Sequence, residues 1–127
     1  PELPALELAG ECYYNMFNGC TSLIIAPQLP AMNLTEMCYG YMFIDCTSLI
    51  KAPDLLAPKV ENGSYIGIFE GCTNLKYVKA MFTKTFNGNF DLFGWLSNAS
   101  SSATIVMDKN ATWYANSVPS GWIIIYV

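Results

Sequence analysis

The stretch CYGYMFIDCTSLIKAP, at residues 38–53, decides the fold because the chain contains three versions of it. Residues 12–27 read CYYNMFNGCTSLIIAP, and residues 64–79 read SYIGIFEGCTNLKYVK. Both offsets, 38 − 12 and 64 − 38, equal 26 residues. Extending the match outward predicts three copies of a repeat, at residues 3–28, 29–54 and 55–80.

The period of the repeat predicts the fold class, since periods of about 20–29 residues are typical of leucine-rich repeats. Within a copy, Leu34, Cys38 and Met42 recur at helical spacing. The short apolar run before Pro53 favours a strand. One copy cannot bury its own apolar side, whereas stacked copies can. We therefore expect an α/β leucine-rich-repeat solenoid of helix-turn-strand units with period 26.

The C-terminal segment, residues 81–127, shows no clear repeat. Residues 90–96 predict a last helix, and residues 104–107 and 122–126 predict two strands between turn-forming residues. The open end of a solenoid needs a cap. We therefore expect the repeats, within residues 1–80, and an α+β capping segment to form one domain.

Side chains that do not vary between copies are expected in the core. Seven columns are identical in all three copies, those of Leu3, Ala5, Tyr13, Phe17, Cys20, Thr21 and Leu23. We assign most of them to the interior, and Trp95 lies three periods after Phe17 in the same column. The column of Cys20, Cys46 and Cys72 is interpreted as a buried ladder of small apolar side chains. A disulfide within each copy is the alternative that an oxidising location would permit.

Columns that vary between copies flank the predicted strand and are expected to face solvent. One of them contains Gln28, Asp54 and Ala80. The strand surface of a stacked repeat is its usual ligand-binding surface. The candidate binding residues are Ile24, Ile25, Gln28, Ile50, Lys51, Asp54, Lys76 and Tyr77.

The composition argues against several classes of function. The chain has six lysines, no arginine, no histidine and a net charge of −4, so nucleic acid is not an expected partner. Lack of histidine removes the commonest metal ligand and general base, and Cys12 and Cys20 are spaced too widely for a usual zinc site. The carboxylates do not recur as a pair suited to glycoside hydrolysis. We expect no metal, no cofactor, no catalytic residue and no membrane span in this segment.

The repeat residues resemble those of a known family. Residues 38–49, followed by Ala52 and Pro53, are similar to the BspA-like, or Treponema pallidum-type, leucine-rich repeats of Bacteroides-type surface proteins. The resemblance covers residues 3–80, with Ser64 as one departure from it. It implies a secreted or cell-surface protein, anchored at the outer membrane through a part that precedes this segment, and engaged in adhesion or host interaction.

The leading hypothesis is an extracellular adhesion module that binds a host or bacterial surface protein through the exposed strand face. A carbohydrate-binding module that uses exposed Tyr14, Tyr41 and Tyr77 is an alternative, with a glycan as the partner. A structural spacer that presents another domain is a third. Charge reversal at Lys51 would weaken protein binding, loss of a tyrosine would weaken glycan binding, and a spacer would bind neither.

Overall fold

The computed structural model describes residues 3–86, 90–113 and 117–127. Within these ranges the chain has no α-helix, and 3-10 conformation occurs only at Phe90 and Ser117. The same ranges contain no helix long and apolar enough to cross a membrane. The strands are β1 (Lys59–Val60), β2 (Tyr77–Ala80), β3 (Lys84–Thr85), β4 (Thr104–Met107) and β5 (Ile123–Tyr126).

Where helices were predicted, the chain forms continuous series of β-turns. At every second residue the main-chain N–H donates to the carbonyl three residues earlier, as Tyr14 does to Glu11 at 3.0 Å. The N–H groups between them donate to the next copy, as Tyr13 does to the carbonyl of Cys38 at 3.0 Å. Local turns and hydrogen bonds between copies therefore alternate along the chain. The first to fourth turn segments are residues 10–19, 36–45, 62–71 and 91–98.

Left-handed backbone at every fourth residue explains why these segments are not helical. In the second turn segment Met37, Tyr41 and Asp45 have φ angles of 47°, 50° and 58°. A right-handed helix does not accommodate such residues. A four-residue recurrence is nevertheless close to the helical period of about 3.6 residues. The spacing of the apolar residues in these turns is therefore almost the spacing expected of an apolar helical face.

Two small parallel sheets hold the extended segments. One has the strand order β2-β4-β5, and β1 pairs with β3 in the other. In the first two copies the predicted strands are reduced to isolated parallel bridges, such as that of Ile25 with Lys51. With no α-helix and only these short strands among the described residues, the prediction of an α/β leucine-rich-repeat solenoid of helix-turn-strand units is wrong. The α+β prediction for the capping segment is also wrong, because residues 91–96 lie in a turn segment; its two strands are confirmed as β4 and β5.

Aromatic side chains stack in columns through the core. The rings of Tyr13, Tyr39 and Tyr65 lie at centroid distances of 5.9 and 6.2 Å. A second column starts with Phe17 and Phe43, whose rings are nearly parallel at 5.5 Å. The leucine, alanine, tyrosine, phenylalanine and cysteine columns are buried in the second and third copies, which confirms their assignment to the interior. The threonine column is not buried.

The cysteine column is the predicted buried ladder at Cys46 and Cys72, whereas Cys20 is half-buried. Cys46 and Cys72 are fully buried, and all five cysteines are free thiols. The Sγ of Cys46 donates to the carbonyl oxygen of Phe17 at 3.1 Å. Cys72 makes the same contact with Phe43, also at 3.1 Å. Each thiol therefore ties one copy to the preceding one.

The fourth turn segment is shifted by one residue relative to the period. The N–H of Phe17 donates to the carbonyl of Met42, the residue before Phe43, and Phe43 is the counterpart of Phe17 in the next copy. The N–H of Phe69 donates to the carbonyl of Trp95, so by the same rule the counterpart of Phe69 is the following residue, Leu96. The prediction that Trp95 continues the Phe17 column is wrong by one position.

A cluster of aromatic side chains closes the core beyond the third copy. The ring of Trp95 lies edge-on to those of Phe82 and Trp113, at 5.9 and 5.6 Å. Trp95 donates its indole N–H to the carbonyl of Ser117 at 2.9 Å. Trp113 donates to the carbonyl of Phe82 at 2.9 Å. The capping segment is therefore held by contacts between large apolar side chains and by the two indole hydrogen bonds.

Candidate functional site

A row of side chains crosses the extended segments at the start of the larger sheet. Parallel bridges join Ile25 to Lys51 and Lys51 to Tyr77. The register of β2 with β4 continues the row to Thr104, and that of β4 with β5 continues it to Ile123. We call these five residues the exposed ladder; Ile25, Lys51 and Ile123 are exposed, and Tyr77 and Thr104 between them are half-buried. Main-chain pairing fixes the spacing of these residues, so their side chains form an ordered surface.

The two ends of the exposed ladder present large apolar side chains to water. Ile25 is 80% exposed and Ile123 is 64% exposed. Between them, the Nζ of Lys51 lies 5.5 Å from the centroid of the Tyr77 ring, within the range of a cation–π contact. The ladder carries one lysine and no carboxylate, whereas the whole chain has a net charge of −4.

The column one residue before the ladder is also exposed. Ile24 and Ile50 are 56% and 49% exposed. Lys76 is exposed too, and its Nζ donates to the hydroxyl oxygen of Ser100 at 3.2 Å. The structure thus brings six of the eight predicted residues together, in two adjoining columns.

The third predicted column does not form part of this surface. Gln28 is exposed and Asp54 is half-buried, but both lie beyond the bridges that align the ladder. Ala80, which shares their column, is fully buried at the end of β2 and bridges to Leu55. The expectation that this whole column faces solvent is wrong at Ala80, because a strand residue there points into the core.

Sequence reasoning missed the contribution of the C-terminal strand. Thr104 follows Tyr77 by 27 residues, and Ile123 follows Thr104 by only 19. Neither residue falls on the 26-residue period, so no repeat column could contain it. The available signal was the uninterrupted apolar run of Ile123, Ile124 and Ile125, which lies within the second strand predicted for the C-terminal segment.

The buried thiols are poorly suited to nucleophilic chemistry. Burial raises the pKa of Cys46 to about 11 and that of Cys72 to about 12. Burial also raises the pKa of Cys38. Reactive cysteines and metal-binding cysteines act as thiolates, which a raised pKa disfavours. Among the described residues no three Cys, Asp or Glu side chains are grouped so as to hold a metal ion.

No protein-family model, curated protein or solved structure matches this chain. The exposed ladder is an ordered array of apolar and cationic side chains, and such an array is suited to binding.

Proposed function

We propose that this chain is an extracellular cell-surface interaction module that binds a protein partner through the exposed ladder. The observation that carries the proposal is the exposure of Ile25 on a row whose geometry is fixed by main-chain pairing. Apolar side chains exposed as a contiguous group are characteristic of interaction surfaces, whereas single exposed ones are ordinary. Ile24 and Ile50 adjoin Ile25 and Lys51 in the chain and extend the apolar group.

The charge of this surface indicates the chemistry of the partner. Lys51 and Lys76 lie in or beside the ladder, which has no carboxylate of its own. A complementary partner would present carboxylates around an apolar centre. Lys51 also keeps the Tyr77 ring partly covered, so the cation and the ring form one recognition element.

The resemblance of the repeat residues to those of BspA-like surface proteins supports the extracellular setting. Proteins of that kind act in adhesion, which agrees with a module that has an ordered exposed row. The partner proposed is a host or bacterial surface protein with an acidic, partly apolar patch.

A binding screen tests the proposal. Purified protein would be applied to arrayed extracellular-matrix proteins, bacterial surface proteins and glycans, and the affinity of each hit would be measured. We expect Lys51→Glu and Ile25→Asp each to weaken a protein hit by about tenfold or more, the scale of a disrupted interface contact of 1.4 kcal/mol. Lys109→Glu is the matched charge reversal, because Lys109 is exposed beyond β4 and outside the ladder.

The other outcomes separate the alternatives. A protein hit that survives Ile25→Asp and Lys51→Glu would exclude the ladder as the binding surface. A glycan hit lost in Tyr14→Ala would replace the proposal by carbohydrate binding, although Tyr14 and Tyr41 pack edge-to-face on each other at 5.6 Å. If the folded protein binds nothing on any array, a structural spacer would be favoured.

A further inference from the structure

Main-chain N–H groups at alternate residues of the fourth turn segment have no hydrogen-bond partner within the described residues. They belong to Leu92, Gly94, Leu96 and Asn98. The last three lie 27 residues (94 − 67) after Gly67, Phe69 and Gly71, whose N–H groups bind the third turn segment to the fourth. The fourth segment therefore presents the same row of donors as the earlier segments, and no further turn segment among the described residues accepts it.

A cavity of about 880 Å³ lies beside these donors. Its walls are the fourth turn segment on one side and residues 112–113 and 117–119 on the other. Among the described residues, none of the third turn segment lines it, so the cavity lies on the side of the fourth segment that faces away from the third copy. The counterparts of the three N–H groups all point from one segment toward the next, which directs Gly94, Leu96 and Asn98 toward the cavity.

The opposite wall is apolar and held in place. Trp113 and Val118 are buried and line the cavity, and Pro119 lines it too. The indole N–H of Trp113 is already bonded to the carbonyl of Phe82, which fixes the ring. Preformed cavities with an apolar wall and a few directed polar groups are typical ligand sites, and volumes of about 300–1,000 Å³ are usual for them.

We infer that this cavity binds a short linear segment of a partner protein through its main chain. The molecule itself shows what satisfies such a row of donors. Each of the first three turn segments places N–H groups at alternate residues, and main-chain carbonyls at alternate residues of the next segment accept them. For the fourth segment those donors are Gly94, Leu96 and Asn98.

The spacing of the donors selects a polypeptide over other ligands. A phosphate or a sugar hydroxyl would engage one or two adjacent N–H groups, whereas three donors at every second residue match the carbonyl spacing of a peptide. Partner strands added to an open edge use the same combination of main-chain hydrogen bonds and side-chain pockets. Apolar side chains of the segment would pack on Trp113 and Val118. This site is separate from the exposed ladder, and its test does not depend on the ladder.

The test begins with selection from a library of random linear dodecapeptides on the immobilised full chain. Peptides recovered are then titrated into ¹⁵N-labelled protein while the amide signals and their hydrogen exchange are followed. We expect the amides of Gly94, Leu96 and Asn98 to shift and to become protected at least tenfold on binding. The amides of Gly67 and Phe69, which are already bonded within the stack, should change little.

Two variants locate the site independently of the amide signals. Ser97→Trp places a bulky side chain at an exposed residue of the cavity wall and should weaken peptide binding at least tenfold. Thr73→Trp makes a similar change at an exposed turn outside the cavity and should leave the affinity unaltered. Lys51→Glu, in the ladder, should also leave it unaltered.

Several results would overturn the inference. They are failure to select any peptide, peptide-induced shifts that map away from residues 94–98, and equal binding by the Ser97→Trp protein. Protection of the three amides in the free, dilute protein would show that they already have partners. Protection that rises with protein concentration alone would identify a second copy of the chain as the occupant.

Discussion

The Sγ of Cys72 lies 3.1 Å from the carbonyl oxygen of Phe43, and this contact joins two copies of the repeat inside the core. The equivalent contact of Cys46 with Phe17 joins the preceding pair. A buried thiol that donates to a carbonyl has to keep its proton. The ladder of cysteines therefore links the stability of the fold to pH.

Raising the pH above 9 should destabilise the protein. Burial raises the pKa of Cys72 from its ordinary 9.0 to about 12, so the folded state keeps a proton that the unfolded chain releases. The contribution of this thiol is complete below pH 9 and is lost as the pH rises toward 12. The loss is at most about 1.4 kcal/mol per pH unit. Urea unfolding below pH 9 and near pH 11 would measure it, and Cys72→Ala should show a smaller decrease; an equal decrease in both proteins would exclude the thiol as its source.

Replacement of glycine by alanine should destabilise the turn segments. Gly19 has a φ of 69° with open space around it, whereas a Cβ at Gly67, with a φ of 56°, would also collide with the ring of Tyr41. We expect a cost of about 1 kcal/mol for Gly19→Ala and about 3 kcal/mol for Gly67→Ala. Gly10→Ala, at an ordinary backbone position, should change the free energy of unfolding by less than about 0.5 kcal/mol.

The sign of the effect at Gly19 distinguishes turns from a helix. In an exposed helix the same substitution would stabilise the protein by about 1 kcal/mol. Urea denaturation of Gly19→Ala and Gly10→Ala gives the comparison directly. A stabilised Gly19→Ala protein, or a helical far-ultraviolet circular dichroism spectrum of the parent chain, would contradict the turn structure.

The carboxylate of Asp91 should be important for joining the fourth turn segment to the third copy. Its Oδ1 accepts the N–H of Gly63 at 2.9 Å, and its Oδ2 accepts the N–H of Phe86 at 2.8 Å. Asp91→Ala should cost about 3 kcal/mol, because one buried and one partly buried charge-assisted hydrogen bond are lost. Asp108, which accepts one N–H near the surface, is the control, and its replacement by alanine should cost about 1 kcal/mol or less. Equal losses in the two variants would refute the proposed role of Asp91.

Trp95→Phe should destabilise the packing of the capping segment, whereas a substitution at the exposed neighbour Phe93 should not. The substitution removes the hydrogen bond to Ser117 and leaves space beside Trp113. We expect the free energy of unfolding to fall by about 2 kcal/mol, from the lost bond and the small cavity together. Phe93→Ala should change it by less than about 0.5 kcal/mol, since Phe93 is 66% exposed. Similar losses in both variants would indicate that burial does not determine the effect here.

The period and the buried columns could be predicted from the sequence because stacking repeats the same environment. Tyr39 and Phe43 contact their counterparts in neighbouring copies, so a different side chain in one copy would spoil two interfaces. The backbone conformation could not be predicted from apolar spacing, since a turn every four residues and a helical turn place apolar side chains almost alike. Glycines at residues 63, 67 and 71 carried the missing signal, because a glycine at every fourth residue fits left-handed backbone better than a helix.

The candidate surface was predictable only where the repeat persists. Variation between copies pointed to Ile25, Lys51 and Tyr77, which the structure aligns. Ile123 completes the same row from outside the repeat, where the spacing between paired residues changes. The donors of Gly94 and Asn98 could not be predicted either, because the pairing of a main-chain N–H depends on which segments of the fold lie beside it rather than on residue type.

The one-way direction of the hydrogen bonds between turn segments also has an electrostatic consequence. Peptide groups whose N–H bonds point the same way add their dipole moments, as they do in a helix. The N–H groups that link the segments all point from earlier copies toward later ones. The column of turns therefore has a polar axis with its positive pole at Gly94–Asn98, and addition or removal of a whole copy would lengthen or shorten this axis without reversing it.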